Sequence, residues 1–175
     1  LVDALTHATQ LASEATEPSA RSLAPAKAQA APRIWPEKLP SLGADTVVVL
    51  DGVILGKPDS RTSARDMLAR LSGRTHSVYS AVALALDNLR VSEDMNVTQV
   101  TFAELEPDWI RRYCALDEPM DKAGAYAIQG LAGQFVTRLE GSHSSVMGLP
   151  LFETVRLIRA AGLSCPGPDA RSARS

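Results

Sequence analysis

The stretch from Thr46 to Leu55 constrains the chain more than any other. Thr46-Val47-Val48-Val49-Leu50 is an unbroken β-branched and apolar run, Asp51-Gly52 is a two-residue turn of the kind that closes hairpins, and Val53-Ile54-Leu55 returns as a partner strand. Helical and extended patterns alternate after it. Thr62 or Ser63 caps a helix that carries Ala64, Met67, Leu68 and Leu71 on one face and ends at Gly73. Residues 78–86 are almost wholly apolar and read as a buried strand, with residues 97–102 pairing beside it across a polar loop at 87–96. Pro107 suits the first turn of a further helix that carries Trp109, Ile110 and Tyr113 inward. Residues 134–139 read as a strand, and a last helix from Pro150 is lined by Leu151, Val155 and Ile158.

The two flanks read differently. Up to about residue 40 the chain is rich in Ala, Ser, Thr and Pro, and Pro18, Pro25, Pro32, Pro36 and Pro40 limit it to short helical pieces and loops. From Ser164, with Pro166, Gly167 and Pro168, residues 164–175 are expected to fray. Residues 1–163 are therefore read as a single α/β domain, for which a chain of 175 residues with 45% hydrophobic and 22% charged content is adequate.

A net charge of -2 removes the broad attraction expected of a protein that binds nucleic acid or an anionic membrane. An anionic ligand must then be held by a few placed lysines and arginines. Cys114 and Cys165, with no CxxC pair, give neither a disulfide framework nor zinc spacing, which fits a reducing cytoplasm. No apolar run approaches the roughly 20 residues that span a bilayer, and Leu1-Val2-Asp3-Ala4 lacks the marks of a signal segment. The first residue is not Met, a hint of further sequence upstream.

Three segments carry chemistry. Asp45, at the mouth of the first strand, is either a strand-end hydrogen-bond acceptor or a metal ligand and general base on a rigid element, and taken alone the former is preferred. Lys57, in Gly56-Lys57-Pro58, is either a phosphate-neutralising point charge or a solvated loop lysine; the spacing from Gly52 excludes a P-loop. Residues 118–130, Glu-Pro-Met-Asp-Lys-Ala-Gly-Ala-Tyr-Ala-Ile-Gln-Gly, combine charges, an aromatic hydroxyl and an amide with small residues that permit close backbone approach. Glu118 there is read as part of a salt-bridged surface turn. His7, His76 and His143 lie too far apart for a histidine zinc site, and Ser72, Ser80 and Ser145 lack a GxSxG elbow. Cys114, Met67 and Met120 are read as core or gap-filling residues.

Taken in order, Leu42-Gly43-Ala44-Asp45-Thr46-Val47-Val48-Val49-Leu50-Asp51-Gly52, Leu55-Gly56-Lys57-Pro58, Leu71-Ser72-Gly73-Arg74-Thr75-His76, Glu118 to Tyr126 with Ile128-Gln129-Gly130, and Val146-Met147-Gly148-Leu149-Pro150-Leu151 resemble successive signatures of the Maf family. The resemblance implies an α/β fold with a long twisted mixed sheet in two lobes, shared with Ham1 or ITPase-like proteins, and a nucleotide cleft between the lobes. It implies hydrolysis of nucleoside triphosphates, dTTP and UTP and modified pyrimidine nucleotides among them, to the monophosphate and pyrophosphate. It further implies a divalent cation, Mg2+ or Mn2+, and a cytoplasmic homodimer. Carried over by position, Asp45 is the catalytic acid/base and metal contact, Lys27, Lys57 and Lys122 approach the triphosphate, and Asp121 orients Lys122 or touches the metal. Thr46 and Gln129 set the base preference, since a hydroxyl and an amide match a pyrimidine's carbonyl and N–H edge. No Ser-Pro-Arg-Arg segment occurs in the chain, so the family's N-terminal strand and phosphate-binding segment are expected to be missing.

The rival reading from another class is a catalytically weakened nucleotide-binding regulatory module linked to cell division, in which the cleft persists without turnover. A nucleic-acid-binding protein is disfavoured by the charge and by the lack of an aromatic-basic stripe.

Overall fold

The computed structural model of the protein describes residues 23–29, 39–86 and 90–165. A helical segment at 23–29 (α1) precedes strands Ser41–Leu50 (β1) and Val53–Leu55 (β2), helix Arg61–Leu71 (α2), and strands Thr75–Ala85 (β3) and Val91–Phe102 (β4). Helix Pro107–Tyr113 (α3) leads through three short 3-10 turns, Glu118–Asp121, Ala123–Ala125 and Leu131–Phe135, into strand Val136–Glu140 (β5). Helices His143–Val146 (α4) and Leu151–Ala160 (α5) follow. Residues 1–22, 30–38 and 166–175 lie outside the described residues, and so does most of the expected reading for those flanks.

The five strands form one sheet in the order β2-β1-β3-β4-β5. Every described ladder is antiparallel, which corrects the expected mixed sheet. The reason lies in the connections: β1 to β2, β3 to β4 and β4 to β5 reverse direction between neighbours, and α2 returns the chain to the free side of β1. The hairpin expected at Asp51-Gly52 is present, with Leu50 opposite Val53.

Alternation along the strands divides the sheet into two faces. On one, Val47, Val49, Ala81, Ala83 and Ala85 pack on Ala24 and Ala28 of α1. On the other, Val48, Leu50, Val78, Val100 and Phe102 pack under α2, α3 and the 3-10 turns. Leu50, Leu68, Leu71, Phe102 and Phe135 are almost wholly buried. Each contributes roughly 1.5–3 kcal/mol of hydrophobic free energy.

Four local expectations shift. The cap of α2 is Ser60, whose hydroxyl accepts from the Ser63 N–H at 3.1 Å, so Thr62 and Ser63 lie inside the first turn. Strand β4 begins at Val91 rather than 97. Its polar residues belong in the strand because α5 answers them: the Asn96 amide donates to Glu153 at 2.9 Å, and the Arg156 Nε donates to Asp94 at 2.8 Å. The same pairing turns Glu153, Thr154 and Leu157 of α5 inward, and Leu151 is 53% exposed. In α3, Ile110 and Tyr113 face the core, whereas Trp109 is 44% exposed and only leans on the Phe135 ring.

Candidate functional site

Gly43 is where the site begins. A Cβ there would stand 2.4 Å from the Ala24 carbonyl oxygen and from the Ala28 nitrogen, so only glycine lets the backbone of α1 touch β1. That contact lays Lys27 across the strand. Its ammonium donates to the Ala44 carbonyl at 3.2 Å and is ion-paired with Asp45. The Asp45 side chain is 13% exposed and that of Lys27 42%. A pair this open contributes on the order of 0–1 kcal/mol to stability, too little to make it a fold determinant.

Thr46, next in sequence, points to the opposite face, as β alternation requires. Its hydroxyl meets that of Ser80 at 2.8 Å, and Ser80 in turn donates to the Ser145 carbonyl at 2.6 Å. Among the described residues, β2 covers the outer edge of β1 only from Val48 to Leu50. Asp45 and Thr46 therefore diverge from a point on the strand that lies beyond β2. The chain leaving Leu55 runs back toward that point and carries Lys57, which is exposed.

A second charged group sits on the loop after α3. The Lys122 ammonium donates to both carboxylate oxygens of Asp121 at 2.6 Å. That bond, with help from the charge of Lys57, holds the Asp121 carboxyl below its ordinary pKa. The loop is tied to Lys57 by backbone: the Gly124 N–H donates to the Gly56 carbonyl at 3.0 Å, and Gly124 lies against Val48 of β1. The structure thus gives two groupings, Lys27 with Asp45 and Lys57 with Asp121 and Lys122. Thr46 belongs to the other sheet face, and Gln129 is exposed in a separate turn.

Two supporting arrangements escaped sequence reading. Among the described residues Glu118 has no salt-bridge partner, against the surface ion pair expected of it. Its carboxylate accepts from the Tyr113 hydroxyl at 2.9 Å and from the Leu131 and Ala132 N–H groups at 3.2 and 3.3 Å. Tyr113 also accepts from the Ala127 N–H, so one carboxylate and one phenol clamp the turn that presents Gln129. Burial and this carboxylate push the Tyr113 hydroxyl pKa up. Beneath the Asp121–Tyr126 segment, His76 is 2% exposed, its Nε2 is 2.8 Å from the Tyr126 hydroxyl, and its ring stacks edge-on with Phe102 and Tyr126. Burial lowers its pKa to about 4, so it is neutral at physiological pH. The visible signals were polar residues in apolar company: Ser80 within 78–86 and a histidine opening the same strand. Cys114 is fully buried and packs in the core, as expected, and Met67 and Met120 lean on that core.

No group of three or more His, Cys, Asp or Glu residues arranged to hold a metal ion occurs among the described residues, and no described helix is long and apolar enough to cross a membrane.

Residues 2–161 match the family described as Maf-like protein. The chain is 53% identical over 128 residues to the dTTP/UTP pyrophosphatase of Bordetella pertussis, covering 73% of this chain and 61% of that protein. It is 57% identical over 122 residues to that of Alkalilimnicola ehrlichii, covering 70% and 59%. With that of Pectobacterium atrosepticum it shares 50% over 148 residues, covering 85% and 75%. The chain thus spans about three fifths of the length of the first of these relatives.

Proposed function

The chain belongs to the Maf-like protein family, and from that premise we propose that it hydrolyses nucleoside triphosphates, dTTP and UTP foremost, to the monophosphate and pyrophosphate. The observation that carries this reading is the Lys27–Asp45 pair on a rigid strand, with Lys57 and the Asp121–Lys122 pair on the adjoining loops. Phosphoanhydride cleavage needs an activated water and neutralised phosphates and no covalent nucleophile, and these residue types supply both.

In the proposed reaction Asp45 takes a proton from the attacking water. The water oxygen bonds to the α-phosphorus, the bond from that phosphorus to the bridging oxygen breaks, and pyrophosphate leaves with the bonding pair. Lys27, Lys57 and Lys122 offset the phosphate charge, and Asp121 aims Lys122. Thr46 and Gln129 meet the base. The nucleotide lies along the edge of β1 that no described strand covers, in a cleft between two lobes.

The donor set fits a hard divalent cation: Asp45 and Asp121 offer carboxylate oxygens, and Mg2+ or Mn2+ is usually held by one or two such groups together with substrate phosphates. When bound, the ion supplies further neutralisation of phosphate charge. The working protein is proposed to be a cytoplasmic homodimer with no nucleic-acid or membrane partner. Its exposed Leu149, Leu151 and Phe152 give a second copy apolar surface to cover.

The test is pyrophosphate release from dTTP and UTP in Mg2+, beside a binding measurement on the same sample. Release that disappears in Asp45→Asn supports the reading. Binding with no release would leave only a nucleotide-binding module.

A further inference from the structure

The hydrogen bonds that lead away from Thr46 have a direction, and the geometry points to Ser80 as the residue that decides which bases this site accepts. This inference rests on the proposed function, in which Thr46 meets the base.

The direction is set at the far end. A backbone carbonyl only accepts, so the 2.6 Å contact between Ser80 Oγ and the Ser145 carbonyl requires the Ser80 proton. A serine hydroxyl has one proton. Were it turned toward Thr46, two oxygens would face each other at 2.6 Å with lone pairs only. Having spent its proton on Ser145, Ser80 can only accept from Thr46 across their 2.8 Å contact. Thr46 must therefore donate inward. Its outward side presents lone pairs alone, so the half-buried hydroxyl is a fixed acceptor rather than an adaptable one.

The fixity comes from the fold. Thr46 and Ser80 are direct cross-strand partners in the β1–β3 ladder, Ser80 is wholly buried, and the Ser145 carbonyl is anchored in α4, where it also accepts from the Gly148 N–H at 3.0 Å. None of the three can rotate to suit a ligand without breaking another bond. A fixed acceptor selects a base that offers an N–H at that point. Uracil and thymine carry one on N3. Cytosine carries a lone pair there, which repels the threonine oxygen. Ser80, which never touches the nucleotide, is thus a specificity-positioning residue that favours imide bases by setting the polarity of Thr46.

Two variants separate this role from a structural one. Ser80→Ala frees the Thr46 proton and leaves the Ser145 carbonyl its bond from Gly148, so the fold should survive. Thr46→Val removes the acceptor at nearly constant shape. The readout is the UTP to CTP ratio, in kcat/KM and in equilibrium Kd, for the wild type, both single variants and the double variant, with N3-methyl-UTP as a third probe. The wild type should favour UTP over both other probes. Ser80→Ala should lower the UTP to CTP ratio about tenfold, chiefly by a gain on CTP, since the released proton can now be donated to cytosine N3. Thr46→Val should collapse the ratio by a loss on UTP, and adding Ser80→Ala to it should change nothing further.

A ratio that moves in Thr46→Val but not in Ser80→Ala overturns the role of Ser80 while leaving Thr46 at the base. Wild-type handling of N3-methyl-UTP equal to that of UTP overturns the acceptor assignment itself, whatever the variants do. Absence of any pyrophosphate release sinks the hydrolytic reading, and the Kd ratios then still decide the polarity question.

Discussion

Asp45 and His76 show how differently one strand apart two titratable side chains are used. Asp45 lies at a strand position where its carboxylate meets Lys27 yet stays partly open, which suits the proton-accepting role proposed for it. Replacing it by Asn keeps the shape and removes charge and basicity. Turnover of dTTP should fall roughly 100- to 10,000-fold with an unchanged circular dichroism spectrum; wild-type turnover would make Asp45 structural. His76 is buried for the opposite purpose, to hold the Tyr126 hydroxyl from below. Its pKa falls from 6.5 to about 4 because burial disfavours the charged ring. Below pH 6.5 the unfolded chain therefore takes up a proton that the folded chain refuses. Stability from this group is complete above pH 6.5, declines as pH drops, and is lost by about pH 4, a total of about 3 kcal/mol. Denaturant titrations across that range should show the decline. His76→Phe with Tyr126→Phe, which leaves neither partner's polar group orphaned, should flatten it.

Among elements, the contact of α1 with β1 holds the Lys27–Asp45 pair together. Gly43→Ala puts a methyl 2.4 Å from two backbone atoms of α1, neither of which can yield without moving the helix. The expected result is a loss of about 1–3 kcal/mol of stability and a fall in kcat that restoring the lysine charge elsewhere does not repair; a variant as active and stable as the wild type would show that α1 does not set the Lys27–Asp45 geometry. This dependence was only half legible. Leu42-Gly43-Ala44-Asp45 stood out by its resemblance, and the hairpin at Asp51-Gly52 by its turn chemistry, because both signals are local. The packing of Ala24 and Ala28 on the glycine is a contact between distant segments, which periodicity does not report. Strand β4 was read short for a related reason: Asp94 and Asn96 look like loop residues until Arg156 and Glu153, some sixty positions later, arrive to pair with them. Glu118 was misjudged because two of its three donors are backbone N–H groups, which leave no mark in a sequence, and the third is the neutral Tyr113 hydroxyl rather than a cation.

For the molecule as a whole, a net charge of -2 must coexist with the strongly anionic substrate proposed for it. Local lysines have to overcome a mildly repulsive background, so Lys57→Ala and Lys122→Ala should each raise KM for dTTP several-fold. The wild-type KM should rise with ionic strength as the same charges are screened. Unchanged kinetics in both variants would remove these lysines from the site. Chelation of divalent ions with EDTA should stop pyrophosphate release, and added Mg2+ should restore it. The brevity of β2 has a further effect, on time rather than on affinity. Among the described residues only Val48–Leu50 pair with it, whereas β3 is laddered on both sides along most of its length. Local opening needs only the bonds that hold the opening piece. Deuterium should therefore enter the amides of Val53–Leu55 well before those at the centre of β3, and the lysine-bearing loop that follows should breathe with them while the rest of the sheet stays closed.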